Sequence, residues 1–177
     1  MSERPIEVDA FAKCARSFLA WCDRSHEGKA PGPFRREALV TLSAIYNAAL
    51  SLPGVEALDA PEPPSMTSEK RSAISSNLSS LPFQYYWEVF TPSELDGDKE
   101  PVCGDLFDDF QDIYGDLACG LWLYDRGHVE SAVFTWNLMF EVHWGRHAVS
   151  AMHALHSFDS DAAGMRPDAS LERTRER

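Results

Sequence analysis

Apolar residues recur at intervals of three and four along most of the chain, which is the spacing of one face of an α-helix. The pattern predicts a first helix over residues 5–23 and a second that begins near Phe34 and stops at Pro53. Thr67 is a residue type that caps helix N-termini, and it predicts a third, short helix. These segments indicate an all-α fold.

Two longer helices are predicted in the second half. A continuous apolar stripe predicts one helix over residues 103–126, and a second periodic segment predicts another over residues 129–158. Gly127 suits the position that ends the first of them. Because only about two residues separate the two helices, we expect an antiparallel hairpin. The sequence therefore predicts a single-domain helical bundle of five to six helices over residues 1–158, followed by a disordered tail over residues 159–177.

The segment between these two groups of helices is less regular. Residues 83–90 place aromatic side chains at positions that fit one more short helix. A strand is also compatible with this composition, but no second strand-like run is visible to pair with it. Residues 91–102 are predicted to form an acidic loop.

Composition limits the cellular setting. No apolar run approaches the roughly 18 residues that a membrane-spanning helix requires. The first residues lack the basic and apolar regions of a secretory signal. None of the four cysteines belongs to a CxxC pair, and we expect them to be reduced thiols. We therefore predict a cytoplasmic protein that does not associate with a membrane.

The net charge of −12 is concentrated in one stretch. Residues 94–116 contain nine acidic residues and one lysine, which is −8 of the total. Such a surface repels phosphate backbones, so nucleic acid is not an expected partner. We predict a binding or interaction module in preference to an enzyme, with an acidic surface that meets a basic protein partner or serves mainly for solubility. The sequence defines no oligomeric state. The predicted surface consists of Asp105, Asp108, Asp109, Asp112 and Asp116.

Four of these aspartates follow the edge of the apolar stripe, because their spacing is four, three and four. One interpretation is a solvated edge, with Asp105 favoured by the positive end of the helix dipole. The other is a divalent-cation site, since carboxylates one turn apart can share a metal ion. Asp109, Asp112 and Asp116 are then the candidate ligands of a metal-dependent hydrolase, with Glu141 or His143 as its base. The Glu-x-x-His pairs of a di-metal bundle are absent.

The last predicted helix carries four of the six histidines. His143 and His147 lie one turn apart, so both rings could reach one metal ion. On a regular helical wheel they lie opposite the apolar face, which favours histidines that face solvent. The HExxH order of a zinc protease is absent. The sequence therefore predicts no cofactor, with a divalent metal as the alternative.

Glu141 is a candidate acid. The same wheel places it in the middle of the apolar arc, where a lone carboxylate costs several kcal/mol unless it is paired or protonated. We expect either a core carboxylate with a partner or a functional acid at a small pocket. Gly145, one turn later, is expected to allow close approach of another helix.

Arg146 and His153 share one helix face. Their spacing resembles the Arg-x(4–6)-His motif of HEPN ribonucleases. The resemblance implies that the arginine and the histidine act on the scissile phosphate and its 2′-hydroxyl. A HEPN-like ribonuclease is therefore a further alternative, although the acidic surface argues against RNA.

The two long helices also carry a family resemblance. The segments 112–117, 120–124 and 140–148 read Asp-Ile-Tyr-Gly-Asp-Leu, Gly-Leu-Trp-Leu-Tyr and Phe-Glu-Val-His-Trp-Gly-Arg-His-Ala. They are similar to the bacterial family catalogued as domain of unknown function 5063. The resemblance implies a compact helical fold and no established activity, cofactor or partner. Two positions depart from that pattern: Gly115 replaces a longer polar residue, and Asn137 replaces an arginine that would pair with Glu141.

Overall fold

The structure is a computed structural model that describes residues 5–97 and 100–162, and residues 159–162 are described as backbone only. Within these ranges the chain forms six α-helices and one two-stranded antiparallel sheet, so the predicted helical bundle is confirmed. The helices are α1 (Ile6–Asp23), α2 (Pro31–Ala49), α3 (Ser68–Asn77), α4 (Leu106–Asp125), α5 (Val129–Met139) and α6 (Gly145–Ala162).

The first three helices form as predicted. Helix α1 buries an apolar face that includes Phe11 and Phe18, and α2 buries Phe34 and Leu42. Thr67 caps α3, because its side chain accepts a hydrogen bond from the backbone N–H three residues later. Regular helical periodicity is sufficient to define this part of the bundle.

Helices α4 and α5 form the predicted hairpin. Gly127 ends α4 with a φ of 85°, a left-handed conformation that glycine adopts without strain. At the crossing, the indole N–H of Trp136 donates a hydrogen bond to the carbonyl oxygen of Leu117, at 3.2 Å. A Cβ atom at Gly120 would lie 2.0 Å from that indole nitrogen, so glycine is required for the close approach.

The predicted continuous helix over residues 129–158 is interrupted. A π-helical turn, Phe140–Trp144, separates α5 from α6. A π turn accommodates one more residue than an α turn, so it rotates the following residues by about 100° relative to a regular helix. Gly145 serves this turn and not another helix, because a Cβ atom there would lie 2.3 Å from the carbonyl oxygen of Phe140.

The predicted short helix over residues 83–90 is wrong. Strand β1 (Tyr85–Glu88) pairs with β2 (Val102–Asp105), and Tyr86 lies opposite Gly104. The second strand comes from residues assigned to the acidic loop and to the first turn of the next helix. The antiparallel pairing satisfies their backbone groups, so α4 begins at Leu106 instead of residue 103.

Helix α6 continues to Ala162, four residues past the predicted end of the domain. The rest of the predicted tail, residues 163–177, lies outside the described residues. In the described part of the chain, no helix is both long enough and apolar enough to cross a bilayer.

Candidate metal centre

Helix α4 and the segment that contains the π turn and α6 face each other along a polar seam. Asp109, Asp112 and Asp116 lie one turn apart on α4. His143 lies in the π turn and His147 in the first turn of α6, with ring centroids 4.9 Å apart. We call these five residues the aspartate–histidine cluster. Its histidine side chains are partly exposed, at 38% and 28%.

Three members of the cluster converge on one point. The Nε2 atoms of His143 and His147 lie 3.8 Å and 3.6 Å from Oδ2 of Asp112. One ligand atom from each of the three residues can be chosen so that all lie within 4.8 Å of one another. Zinc bound to nitrogen and oxygen at about 2.0–2.2 Å separates tetrahedral ligands by about 3.3–3.6 Å. The observed spacing is therefore close to that of a metal site.

The other two aspartates accept hydrogen bonds from the histidine rings and so fix the orientation of these rings. Asp116 accepts a hydrogen bond from Nδ1 of His143 at 2.7 Å, and Asp109 accepts one from Nδ1 of His147 at 2.8 Å. The phenol of Tyr86 donates to the second oxygen of Asp109, at 2.7 Å. A carboxylate on Nδ1 leaves Nε2 unprotonated and aimed at the metal, as in carboxylate–histidine–zinc sites. The sequence predicted all three aspartates as candidate ligands; in the structure Asp112 faces both Nε2 atoms, whereas Asp109 and Asp116 contact the Nδ1 atoms.

The cluster favours a positive charge on His147, whereas burial opposes the negative charge of two of its carboxyl groups. Burial raises the pKa of Asp109 and of Asp116, and the hydrogen bond from each histidine opposes that shift. The hydrogen bond to Asp109 raises the pKa of His147 above its ordinary value. Arg71 adds a cation at the edge, since its guanidinium lies 3.2 Å from Oδ1 of Asp112. With neutral imidazoles, three carboxylates and this arginine leave a formal charge of −2, which one divalent cation would neutralise.

The helical wheel predicted that His143 and His147 face solvent on the side opposite the apolar residues. In the structure both side chains are half-buried and contact aspartates of α4. The wheel assumed 100° per residue throughout, whereas the π turn Phe140–Trp144 contains one extra residue, so the positions before and after it do not share one regular wheel.

Glu141 lies within this turn and not in the core. Glu141 is exposed, so the predicted buried carboxylate with a partner is wrong. The nearby Asn137 donates instead to the carbonyl oxygen of Pro53, at 2.8 Å.

The predicted acidic surface is largely turned inward. Asp105 caps α4 by accepting hydrogen bonds from the backbone N–H groups of Phe107 and Asp108, which agrees with the interpretation based on the helix N-terminus. Of the five aspartates in that surface, only Asp108 is exposed. An acidic surface for a basic partner stays a prediction, with one aspartate available to present it.

Arg146 and His153 lie outside the cluster. Both line a groove between the β-hairpin and α6, and the Arg146 guanidinium lies 3.1 Å from the centre of the Phe90 ring. The ribonuclease interpretation of these two residues stays a prediction.

Two residues that contact the aspartate–histidine cluster, Tyr86 and Arg71, could not be identified from the spacing of the sequence alone. Tyr86 belongs to a strand that had been assigned to a helix, and Arg71 lies in α3, forty-one residues before its partner Asp112. The only sequence signal for Tyr86 is its place in an aromatic run, and Arg71 has no local signal.

Comparison with known proteins places the fold. No curated protein matches the sequence. The crystal structure of protein BF1032 from Bacteroides fragilis is similar, with a TM-score of 0.71 and 23% identity over 93% of this chain and 96% of that one. At this identity the likeness concerns the fold alone. The profile of the family described as Domain of unknown function (DUF5063) matches residues 3–161. The helical bundle and its aspartate–histidine cluster thus lie within the matched region, and the chain belongs to the DUF5063 family.

Proposed function

We propose that this protein binds one divalent transition-metal ion through Asp112, His143 and His147 and acts as a metal-dependent hydrolase. The observation that carries the proposal is the pair of imidazoles whose Nδ1 atoms are held by Asp116 and Asp109 while both Nε2 atoms face Asp112. Three protein ligands leave at least one coordination position for water, which is typical of catalytic zinc sites.

Beyond its metal ligands, such a centre needs few other protein groups to catalyse hydrolysis. Asp112, His143 and His147 would hold the ion, which would lower the pKa of a bound water to about 7 and so supply hydroxide near neutral pH. Arg71 lies beside Asp112 and provides positive charge for an anionic substrate or transition state. The sequence offered Glu141 as a base, but this proposal does not use it, because its side chain is exposed.

The interaction-module hypothesis has less support than the metal centre. The inward aspartates are occupied by histidine, tyrosine and arginine partners, which reduces the charge available to a basic protein. We retain the cytoplasm as the proposed compartment, since none of the four cysteines forms a disulfide in the structure.

Metal binding is tested by titrating tag-free, chelator-treated protein with Zn²⁺ in a calorimeter, and with Co²⁺ in an absorption spectrometer. We expect one ion per chain and a cobalt spectrum typical of nitrogen and oxygen ligands. His143→Ala and His147→Ala should each abolish stoichiometric binding. His156→Ala is the matched control, because His156 is an exposed histidine on the same helix and lies outside the cluster.

Binding below one ion per chain, or binding that survives both cluster variants, would overturn the metal centre. The hydrolase half of the proposal is tested by offering zinc-loaded protein a panel of chromogenic carboxylic and phosphoric esters. Activity should be lost in Asp112→Asn. A zinc-binding protein that hydrolyses no member of the panel would keep the centre and reject the hydrolase.

A further inference from the structure

A second site lies on the other side of α6. A groove of about 530 Å³ runs between the β-hairpin and this helix. Sites for small organic molecules usually have volumes of about 300–1,000 Å³. Its walls are mostly apolar, and they include Trp87, Phe90 and Val149.

These apolar side chains are unusually accessible. Trp87 is 71% exposed, Phe90 55% and Val149 45%. Large aromatic residues at such exposure, gathered along one groove, are typical of a surface that binds something apolar. Two flat rings beside a groove favour a planar body that can stack on them.

The groove also contains one available cation. Within residues 5–97 and 100–162, the guanidinium of Arg146 makes no ion pair with a carboxylate. It lies over the Phe90 ring. The acid in the groove, Glu88, already accepts a hydrogen bond from the hydroxyl of Ser150.

We propose that this groove binds a small molecule with a flat apolar body and one carboxylate or phosphate group. The body stacks against Trp87 and Phe90, and the anionic group receives two parallel hydrogen bonds from the fork of Arg146. His153, on the same wall, is the second donor. The proposal does not depend on metal binding, because none of these residues belongs to the aspartate–histidine cluster.

The test uses three ligands that share one aromatic body. Tag-free protein is titrated with naphthalene-2-carboxylate, 2-naphthyl phosphate and the neutral 2-naphthalenemethanol, and binding is followed by ligand-observed NMR and calorimetry. We expect at least one anion to bind at least tenfold more tightly than the alcohol. Whichever anion is preferred distinguishes a carboxylate ligand from a phosphate ligand.

Variants assign the binding to the groove. Arg146→Gln should reduce the affinity for the anion to that for the alcohol, and Trp87→Ala should weaken all binding. Arg126→Gln is the matched control, since Arg126 also lies over an aromatic ring, that of Trp122 at 3.8 Å, but outside the groove. Because Arg146 and Trp87 are exposed, thermal unfolding should show that both variants remain folded.

Three results would overturn the proposal. The first is equal affinity for anions and alcohol, or no binding by any of them at millimolar concentration. The second is a concentration-dependent dimer in sedimentation that Trp87→Ala abolishes, which would assign the groove to a second copy of the chain. The third is cleavage of RNA that Arg146→Gln abolishes, which would assign Arg146 to a nuclease.

Discussion

His26 is buried and His147 is half-buried, but the residues around the two rings differ. The ring of His26 packs against those of Trp21 and Phe34, with centroids 4.8 Å and 4.5 Å away. Its Nε2 atom donates to the carbonyl oxygen of Trp21 at 2.9 Å, and Nδ1 has no partner among the described residues. His147 instead meets a carboxylate at 2.8 Å and has a second one nearby.

The two environments shift the same side chain in opposite directions. Burial lowers the pKa of His26, whereas the hydrogen bond to Asp109 raises the pKa of His147. An apolar environment stabilises the neutral ring, and an acidic one stabilises a positive charge on or near the ring. We therefore attribute a stabilising role to the packing around His26 and propose that the aspartate–histidine cluster binds a cation. Four changes test this comparison.

The largest expected effect is on the apolar side. Phe34 is fully buried, so Phe34→Ala should lower the free energy of unfolding by about 3–5 kcal/mol. Denaturant unfolding of metal-free protein measures this loss. The zinc stoichiometry of the folded fraction should not change. Leu50→Ala is the control, because Leu50 is 65% exposed and its loss should cost at most about 0.5 kcal/mol.

In the aspartate–histidine cluster, a change at a residue that orients a proposed metal ligand should reduce metal affinity more than it reduces the stability of the fold. Asp109→Asn weakens the partner that orients His147, and loss of such a partner typically reduces metal affinity by about 10–100-fold. Competition with a zinc chelator measures the affinity. Asp108→Asn, on the exposed side of the same turn, should leave it unchanged. Equal losses in the two variants would mean that net charge, not orientation, controls the affinity.

A smaller effect on zinc affinity is expected at Tyr86, which contacts Asp109 and not a proposed metal ligand. Tyr86→Phe removes the hydroxyl that donates to Asp109 and keeps the ring in place against Gly104. The loss of one such bond is about 1.5 kcal/mol or less, which corresponds to roughly tenfold or less in zinc affinity. Tyr85→Phe, on the exposed neighbouring position, should have no effect in the same competition assay. If both variants bind zinc as the original chain does, the hairpin does not support the centre.

The smallest effect concerns pH and His26. Its pKa is lower in the folded chain than the ordinary value near 6.5, so the unfolded chain binds more protons between those two values. The resulting stabilisation is fully present above about pH 6.5 and is lost as the pH falls through the folded pKa. His26→Leu should therefore reduce the difference in unfolding free energy between pH 7.5 and pH 5.5. An unchanged difference would contradict the lowered pKa.

The sequence was sufficient where structure follows from local periodicity. Helices α1 to α3 and the α4–α5 hairpin need only the spacing of apolar side chains, a cap at Thr67 and a glycine at position 127. The spacing of Asp109, Asp112 and Asp116 also predicted that these three side chains share one face of α4, and in the structure this face meets His143 and His147. The histidine partner of each aspartate could not be predicted, because it lies on a distant segment of the chain.

The remaining features depend on contacts between distant segments. The strand Tyr85–Glu88 pairs with residues 102–105, and neither segment shows this partnership by itself. The π turn has a similarly weak local signal, because Gly145 is compatible with a close helix crossing as well as with the crowded carbonyl of Phe140. A helical wheel drawn through that turn gave Glu141 the position of a core residue and the histidines that of surface residues.

The extra residue in Phe140–Trp144 also affects how related chains should be aligned. A relative with an uninterrupted α-helix at this place would be one residue shorter, and the gap belongs inside this segment and not in a neighbouring loop. If the gap is placed elsewhere, every position between it and the turn is compared with the wrong counterpart. When the gap is placed inside Phe140–Trp144, relatives that have counterparts of both His143 and His147 can be separated from relatives that share only the fold.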